Sequence, residues 1–80
     1  MLNIFKRRKL RKLQDEKEKV CARIQGLHLA ILDAKYIVEH VEMKPGIRDE
    51  MIKSIEVKEE LLKIYQDDYK TLWNEICELY

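Results

Sequence analysis

The sequence predicts an all-α fold, an antiparallel two-helix coiled-coil hairpin that dimerises into a four-helix bundle. The segment Lys44-Pro45-Gly46 is the one strong helix breaker among the 80 residues. On both sides of it, apolar residues recur at alternating spacings of three and four. No stretch alternates apolar and polar residues as a half-buried strand would. A chain of this length forms at most one small domain.

The first predicted helix runs from about residue 7 to about residue 43. It carries an apolar seam that only Lys17 interrupts, made of Leu10, Leu13, Lys17, Val20, Ile24, Leu27, Ile31, Ala34, Val38 and Val41. A mean apolar spacing of about 3.5 residues keeps one stripe of a helix turned towards a partner helix. His40 and Lys44 fall near the predicted end of this helix, where positive charge complements the helix dipole.

The predicted turn covers residues 44–47, and a second helix covers residues 48 to about 79. Its seam consists of Met51, Ile55, Lys58, Leu62, Tyr65, Tyr69, Leu72, Ile76 and Leu79. A short turn makes the two helices antiparallel neighbours, so that residue n lies roughly opposite residue 91−n. This pairing rule places Lys17 near Asn74 and Glu75, with its stem packed and its ammonium group in water.

Residues 10–80 form the predicted hairpin, and residues 1–9 form a basic N-terminal arm that projects beyond it. Six cations and no acid lie in the first 13 residues, namely Lys6, Arg7, Arg8, Lys9, Arg11 and Lys12. The remainder of the chain has a net charge of −5, because it holds ten of the 16 basic residues and all 15 acids. Such a segment is typical of contact with nucleic acid or with an anionic membrane surface. Met1, Leu2, Ile4 and Phe5 would supply a shallow membrane anchor, and the plain alternative is a solvated helix end.

A second set of apolar residues lies outside the two seams. It predicts a protein interface formed by Ala22, Gly26, Leu29, Leu32, Tyr36, Val57, Leu61, Ile64, Trp73 and Tyr80. The pairing rule brings Val57, Leu61 and Ile64 to the same height as the residues of the first helix, so we expect a single patch at mid-hairpin. Self-association, docking of another protein, and helices that simply use wider faces are the three interpretations of this patch.

Residue patterns typical of catalysis or metal binding are absent from the sequence. There is no glycine-rich phosphate loop, and none of the acids occupies a seam position where burial would change its chemistry. Cys21 and His28 are seven residues apart, about 10 Å along a helix, which is too far for one zinc ion. We therefore expect no enzyme activity, no cofactor, no metal and no small-molecule substrate. Cys21 and Cys77 are expected to be buried and unpaired, in the reducing cytoplasm.

The function predicted from these features is that of a non-enzymatic protein–protein interaction module. It would act as a small adaptor or inhibitor that binds another protein, or a second copy of itself, through its helical faces. The alternative is a small protein that binds nucleic acid or a membrane surface through the basic arm.

Overall fold

The computed structural model describes residues 3–80. Two α-helices, α1 (Ile4–His40) and α2 (Pro45–Glu78), pack against each other along a rod of 61 × 14 × 12 Å. No strand occurs in this part of the chain. The all-helical fold and the packing of the two helices are thereby confirmed.

The connection between the helices lies earlier in the chain than predicted. Helix α1 ends at His40, and Val41 is extended with φ −108° and ψ 129°. Lys44 is also extended, and Pro45 is the first residue of α2 instead of part of the turn. Proline suits this position because the first residues of a helix have amide groups without intrahelical acceptors, and the residue before a proline avoids helical angles. The predicted turn at 44–47 was therefore wrong by three residues.

The start of α1 also differs from the prediction, because the helix begins at Ile4 and not near residue 7. Asn3 is the N-cap residue, and its side-chain oxygen Oδ1 accepts a hydrogen bond of 2.8 Å from the backbone N–H of Lys6. This bond satisfies one of the amide groups that every helix start leaves unpaired. Residues 4–9 of the predicted arm are consequently helical, and all of them are exposed.

The helices are held together by the predicted seam. The buried residues are Leu13, Ile31, Val38, Ile55 and Ile76, and each is a seam residue. Every other seam position is half-buried except Val41, whose side chain is 47% exposed. Val41 departs from the seam because α1 has already ended at His40 and the chain no longer follows the helical period.

A cluster of buried residues lies in the half of the hairpin towards the loop. Ile31, Val38 and Ile55 form a core cluster there, and the partly buried residues packed against it are Ala34, Met43, Met51 and Leu62. Met43 belongs to the loop and lies outside the predicted seam. Among the described residues no side chain is fully buried, so the core is thin along its whole length.

Because the core is thin, one cavity in it should lower stability measurably. We expect Ile31→Ala to reduce the free energy of unfolding by about 2–4 kcal/mol, as for other buried isoleucines. Ile47→Ala is the matched control, since Ile47 is 51% exposed and its truncation should cost less than about 0.5 kcal/mol. Urea unfolding followed by circular dichroism measures both values. Equal losses in the two variants would contradict the assignment of the core.

Candidate interaction surfaces

The rod exposes more surface than a compact protein of its mass. Its accessible area is 6662 Å². A compact monomer of 9.7 kDa would expose about 5,100 Å², so the hairpin has an excess of about 1,500 Å². Within residues 3–80, fourteen large apolar side chains contribute to this exposed area. Candidate functional sites must therefore be sought on the outer faces of the helices.

One flank of the hairpin, where the two helices meet, is charged. Lys35 Nζ lies 3.2 Å from Glu59 Oε1, so that these two residues bridge α1 and α2. The groove beside the bridge is lined by His28, Leu32 and Lys63 among others. We call these five residues the charged flank. Leu32 is 55% exposed and lines this groove together with the polar residues.

The opposite flank is apolar at mid-hairpin. Successive residues of a helix lie about 100° apart, so the seam determines which positions share a flank. On the side that faces away from Lys35 and Glu59, the apolar residues form what we call the apolar flank, made of Gly26, Ala30, Ile37, Val57, Leu61 and Ile64. Asp33 and Ser54 lie among them on the same side. The exposed fraction is 63% for Val57 and 56% for Ile64, and both helices contribute to this surface.

The other predicted interface residues of α1 border the apolar flank. The helical period places Ala22, Leu29 and Tyr36 on the side of α1 that faces away from α2. Leu29 is 63% exposed and Tyr36 is 62% exposed. The Tyr36 ring stacks on His40 at 4.0 Å between centroids, and His40 Nδ1–H donates to the Tyr36 carbonyl at 2.9 Å. The predicted patch thus wraps from the back of α1 onto one flank, whereas Leu32 lies on the other flank.

Gly26 stands out within the apolar flank because the hairpin itself does not require a glycine there. A Cβ atom added to Gly26 would meet no heavy atom within 4 Å. Glycine in the middle of a helix costs about 1 kcal/mol relative to alanine. The small residue therefore leaves open space on the outer surface and does not serve the contact between α1 and α2.

The apolar flank ends where charged residues cross the groove. Towards the open end of the hairpin, a shallow cleft of 310 Å³ is lined by Glu16, Lys19, Arg23 and Asp68, together with Val20, Thr71 and Leu72. The Arg23 guanidinium lies 5.7 Å from the centroid of the Tyr65 ring. This mixed-charge cleft borders the apolar flank and confines it to the middle of the rod.

Trp73 anchors the open end of the hairpin. The Lys17 ammonium lies 4.1 Å from the centroid of its ring, and the Tyr69 ring meets it edge-on at 6.5 Å. Lys17 was expected near Asn74 and Glu75, and its ammonium lies over the ring of the adjacent Trp73, because a cation at this distance is attracted to the face of an indole ring. The Trp73 side chain is 42% exposed. Tyr80 lies beyond the last residue of α2, and its side chain is 80% exposed.

The basic segment at the start of α1 is exposed along its whole length. Lys6, Arg7, Arg8 and Lys9 are consecutive, so their side chains encircle the helix completely. Arg11 and Lys12 follow and are also exposed. In residues 3–80, the one ion pair within 4 Å is Lys35–Glu59, so none of these six cations forms an ion pair there. Met1 and Leu2, the first half of the predicted anchor, lie outside the described residues.

Without an anionic partner, the cations of this segment are repelled by the dipole of α1. The first turn of α1 contains no acid, and the start of a helix already carries a partial positive charge. Cations placed there repel the dipole, at a cost of about 0.3–1 kcal/mol each at low ionic strength. An anionic partner would relieve this repulsion.

The cysteines and acids form no metal site in the described part of the chain. No group of three or more His, Cys, Asp or Glu side chains that could hold a metal ion occurs there. Cys21 is half-buried, but Cys77 is exposed, so the prediction that both are buried was wrong for Cys77. Within residues 3–80, neither helix has a stretch that is sufficiently long and apolar to cross a membrane.

Comparison with known proteins found no protein-family model, no curated protein and no solved structure that matches this chain. The function must therefore be argued from the surfaces themselves.

The display of the basic segment depends on the Asn3 cap. We expect Asn3→Ala to fray the first turn of α1 and to accelerate hydrogen exchange of the Lys6 amide about five-fold, because this N–H loses its acceptor. Asn3→Asp is the matched control, since aspartate keeps the acceptor and adds a favourable charge at the helix start. Exchange monitored by NMR distinguishes them. An unchanged Lys6 rate in Asn3→Ala would contradict the capping role.

Proposed function

We propose that the protein is a non-enzymatic interaction module that binds a helical partner protein through the apolar flank. The observation that carries this proposal is a group of exposed apolar side chains that both helices contribute to one flank, next to the open space at Gly26. Large exposed apolar patches with polar borders are typical of protein interfaces. The charged flank on one side and the mixed-charge cleft at one end provide such borders here.

The size of the exposed surface supports this proposal. A typical stable interface removes about 800 Å² from each partner. The hairpin's excess of about 1,500 Å² over a compact protein is sufficient for an interface of that size. Burying Leu61 and Ile64 against a partner would also add apolar contacts that the thin core of the isolated hairpin lacks.

The small residues indicate the shape of the partner. Gly26 and Ala30 lie one turn apart, on the same flank as the large apolar residues of α2, so a partner helix can approach the backbone of α1 closely there. A second copy offers the same flank and would give a homodimeric four-helix bundle. Another protein with an amphipathic helix would use the same contacts, and the hairpin would then act as an adaptor or an inhibitor in the cytoplasm.

Gly26→Ala separates folding from binding, because we expect its effects on the two to be opposite. Alanine should raise the stability of the isolated hairpin by about 1 kcal/mol, since it favours the helix and meets no neighbour within 4 Å. In the complex its methyl group would hold the partner helix away and weaken association. Unfolding at low concentration and sedimentation equilibrium over a concentration series measure the two effects. Stabilisation without weaker association would contradict a close approach at Gly26.

Leu61→Glu tests whether the apolar flank is the interface. A carboxylate there should abolish self-association, or the capture of a partner protein, while leaving the hairpin folded, because Leu61 lies outside the seam. Leu32→Glu is the matched control on the charged flank, and we expect it to associate like the wild type. Light scattering combined with circular dichroism measures both properties. Association that survives Leu61→Glu, or that only Leu32→Glu abolishes, would refute the proposed face.

A further inference from the structure

The basic end of α1 is a second surface that the proposed interaction module does not use. Leu13 and Ile76 are the last buried residues at this end, and Leu10 is half-buried. Before Leu10 the helix has no neighbour, and residues 4–9 extend past the hairpin by about 9 Å. We call residues 4–9 the overhang.

The overhang has two chemically distinct parts arranged along the helix axis. In the first turn of α1, which follows Asn3, Ile4 is 61% exposed and Phe5 is 76% exposed, and we call these two residues the tip. Immediately behind the tip, the ring of Lys6, Arg7, Arg8 and Lys9 encircles the helix. When such a helix end enters a bilayer, its apolar tip reaches the boundary of the acyl chains. The ring of cations behind the tip then lies at the level of the lipid phosphates.

The acidic residues lie far from the tip. The first acid of α1 is Asp15, eleven residues after Ile4, which corresponds to about 16 Å along the axis. Glu78 ends α2 and, by the contact of Lys17 with Trp73, lies level with residue 12, about 12 Å from the tip. Both acids lie behind the ring of cations, so the cations are the first charges that a surface approaching the tip would meet. The negatively charged body therefore does not prevent the overhang from contacting an anionic surface.

We propose that the overhang docks end-on to an anionic lipid bilayer. Ile4 and Phe5 enter the boundary between headgroups and acyl chains, and Lys6–Lys9 contact lipid phosphates. The rod then stands away from the surface and leaves the apolar flank accessible to a protein partner. This docking is separate from the proposed protein interaction, since the two use no residue in common.

The apolar tip distinguishes a bilayer from a nucleic-acid duplex as the partner. Phosphates of a duplex would satisfy the ring of cations equally well. A duplex backbone, however, has no apolar layer in which the Phe5 ring is removed from water, whereas a bilayer has one within reach of the tip. The exposure of Ile4 and Phe5 beside the cations therefore favours the bilayer.

Vesicle co-sedimentation of the full chain tests this proposal. One set of vesicles contains phosphatidylcholine mixed with phosphatidylglycerol, and the other contains phosphatidylcholine alone. We expect binding to the mixed vesicles that decreases with salt and is much weaker on phosphatidylcholine. Phe5→Ser should lower it about ten-fold, because the loss of a buried aromatic ring removes most of the apolar contribution. Arg7→Gln/Arg8→Gln should lower it about 30-fold.

Matched variants make the result specific to the overhang. Ile47→Ser removes an exposed apolar side chain near the loop, and Lys53→Gln/Lys70→Gln removes two exposed cations of α2. Both should bind mixed vesicles like the wild type. Circular dichroism and thermal unfolding establish that every variant is folded.

Several outcomes would overturn the proposal. They are equal binding to both vesicle types or to neither, binding that Phe5→Ser leaves unchanged, and losses in the control pairs as large as those in the overhang variants. A labelled DNA duplex, titrated at the same salt concentration, provides the last comparison. Tighter binding to the duplex, unaffected by Phe5→Ser, would assign the overhang to nucleic acid instead.

Discussion

Burial of one narrow apolar seam between α1 and α2 is the interaction on which the rest of this molecule depends. Its five buried residues run from Leu13 and Ile76 at the open end to Val38 and Ile55 beside the loop. No other layer of structure covers the described helices, so the seam alone determines which side chains face outwards. Both the apolar flank and the ring of cations are displayed because they lie outside this seam.

A two-helix rod has a large accessible surface relative to its mass, and both proposed sites lie on this surface. A bundle of four helices buries more apolar faces than a two-helix hairpin, so the proposed docking of a partner on the apolar flank would add to a thin core. Gly26 supports this interpretation. The contact between α1 and α2 does not require a glycine there, and the absent side chain leaves open space on the outer surface. The charged flank, bridged by Lys35 and Glu59, limits the proposed docking to one side.

The two ends of the rod differ in chemistry as well as in packing. The loop end holds the core cluster around Ile31, Val38 and Ile55. At the open end, Trp73 packs with Lys17 and Tyr69, and α1 continues beyond α2 as a ring of exposed cations. Because the ends differ, the overhang can contact lipid at one end of the rod while the apolar flank binds a protein at mid-length. The proposed membrane docking and protein binding therefore do not compete for space.

The sequence by itself determined the helical fold and the seam, because the spacing of apolar residues maps directly onto the faces of a helix. Val41 was the one seam residue assigned incorrectly, since periodicity does not report where a helix ends. Helix ends depend on single hydrogen bonds and backbone angles, such as the Asn3 cap and the position of Pro45 as the first residue of α2. Only the tertiary structure decided that Lys17 contacts Trp73, that Leu32 lies on the charged flank and that Gly26 faces open space. These contacts depend on the relative rotation and axial offset of two helices, which no local sequence pattern contains.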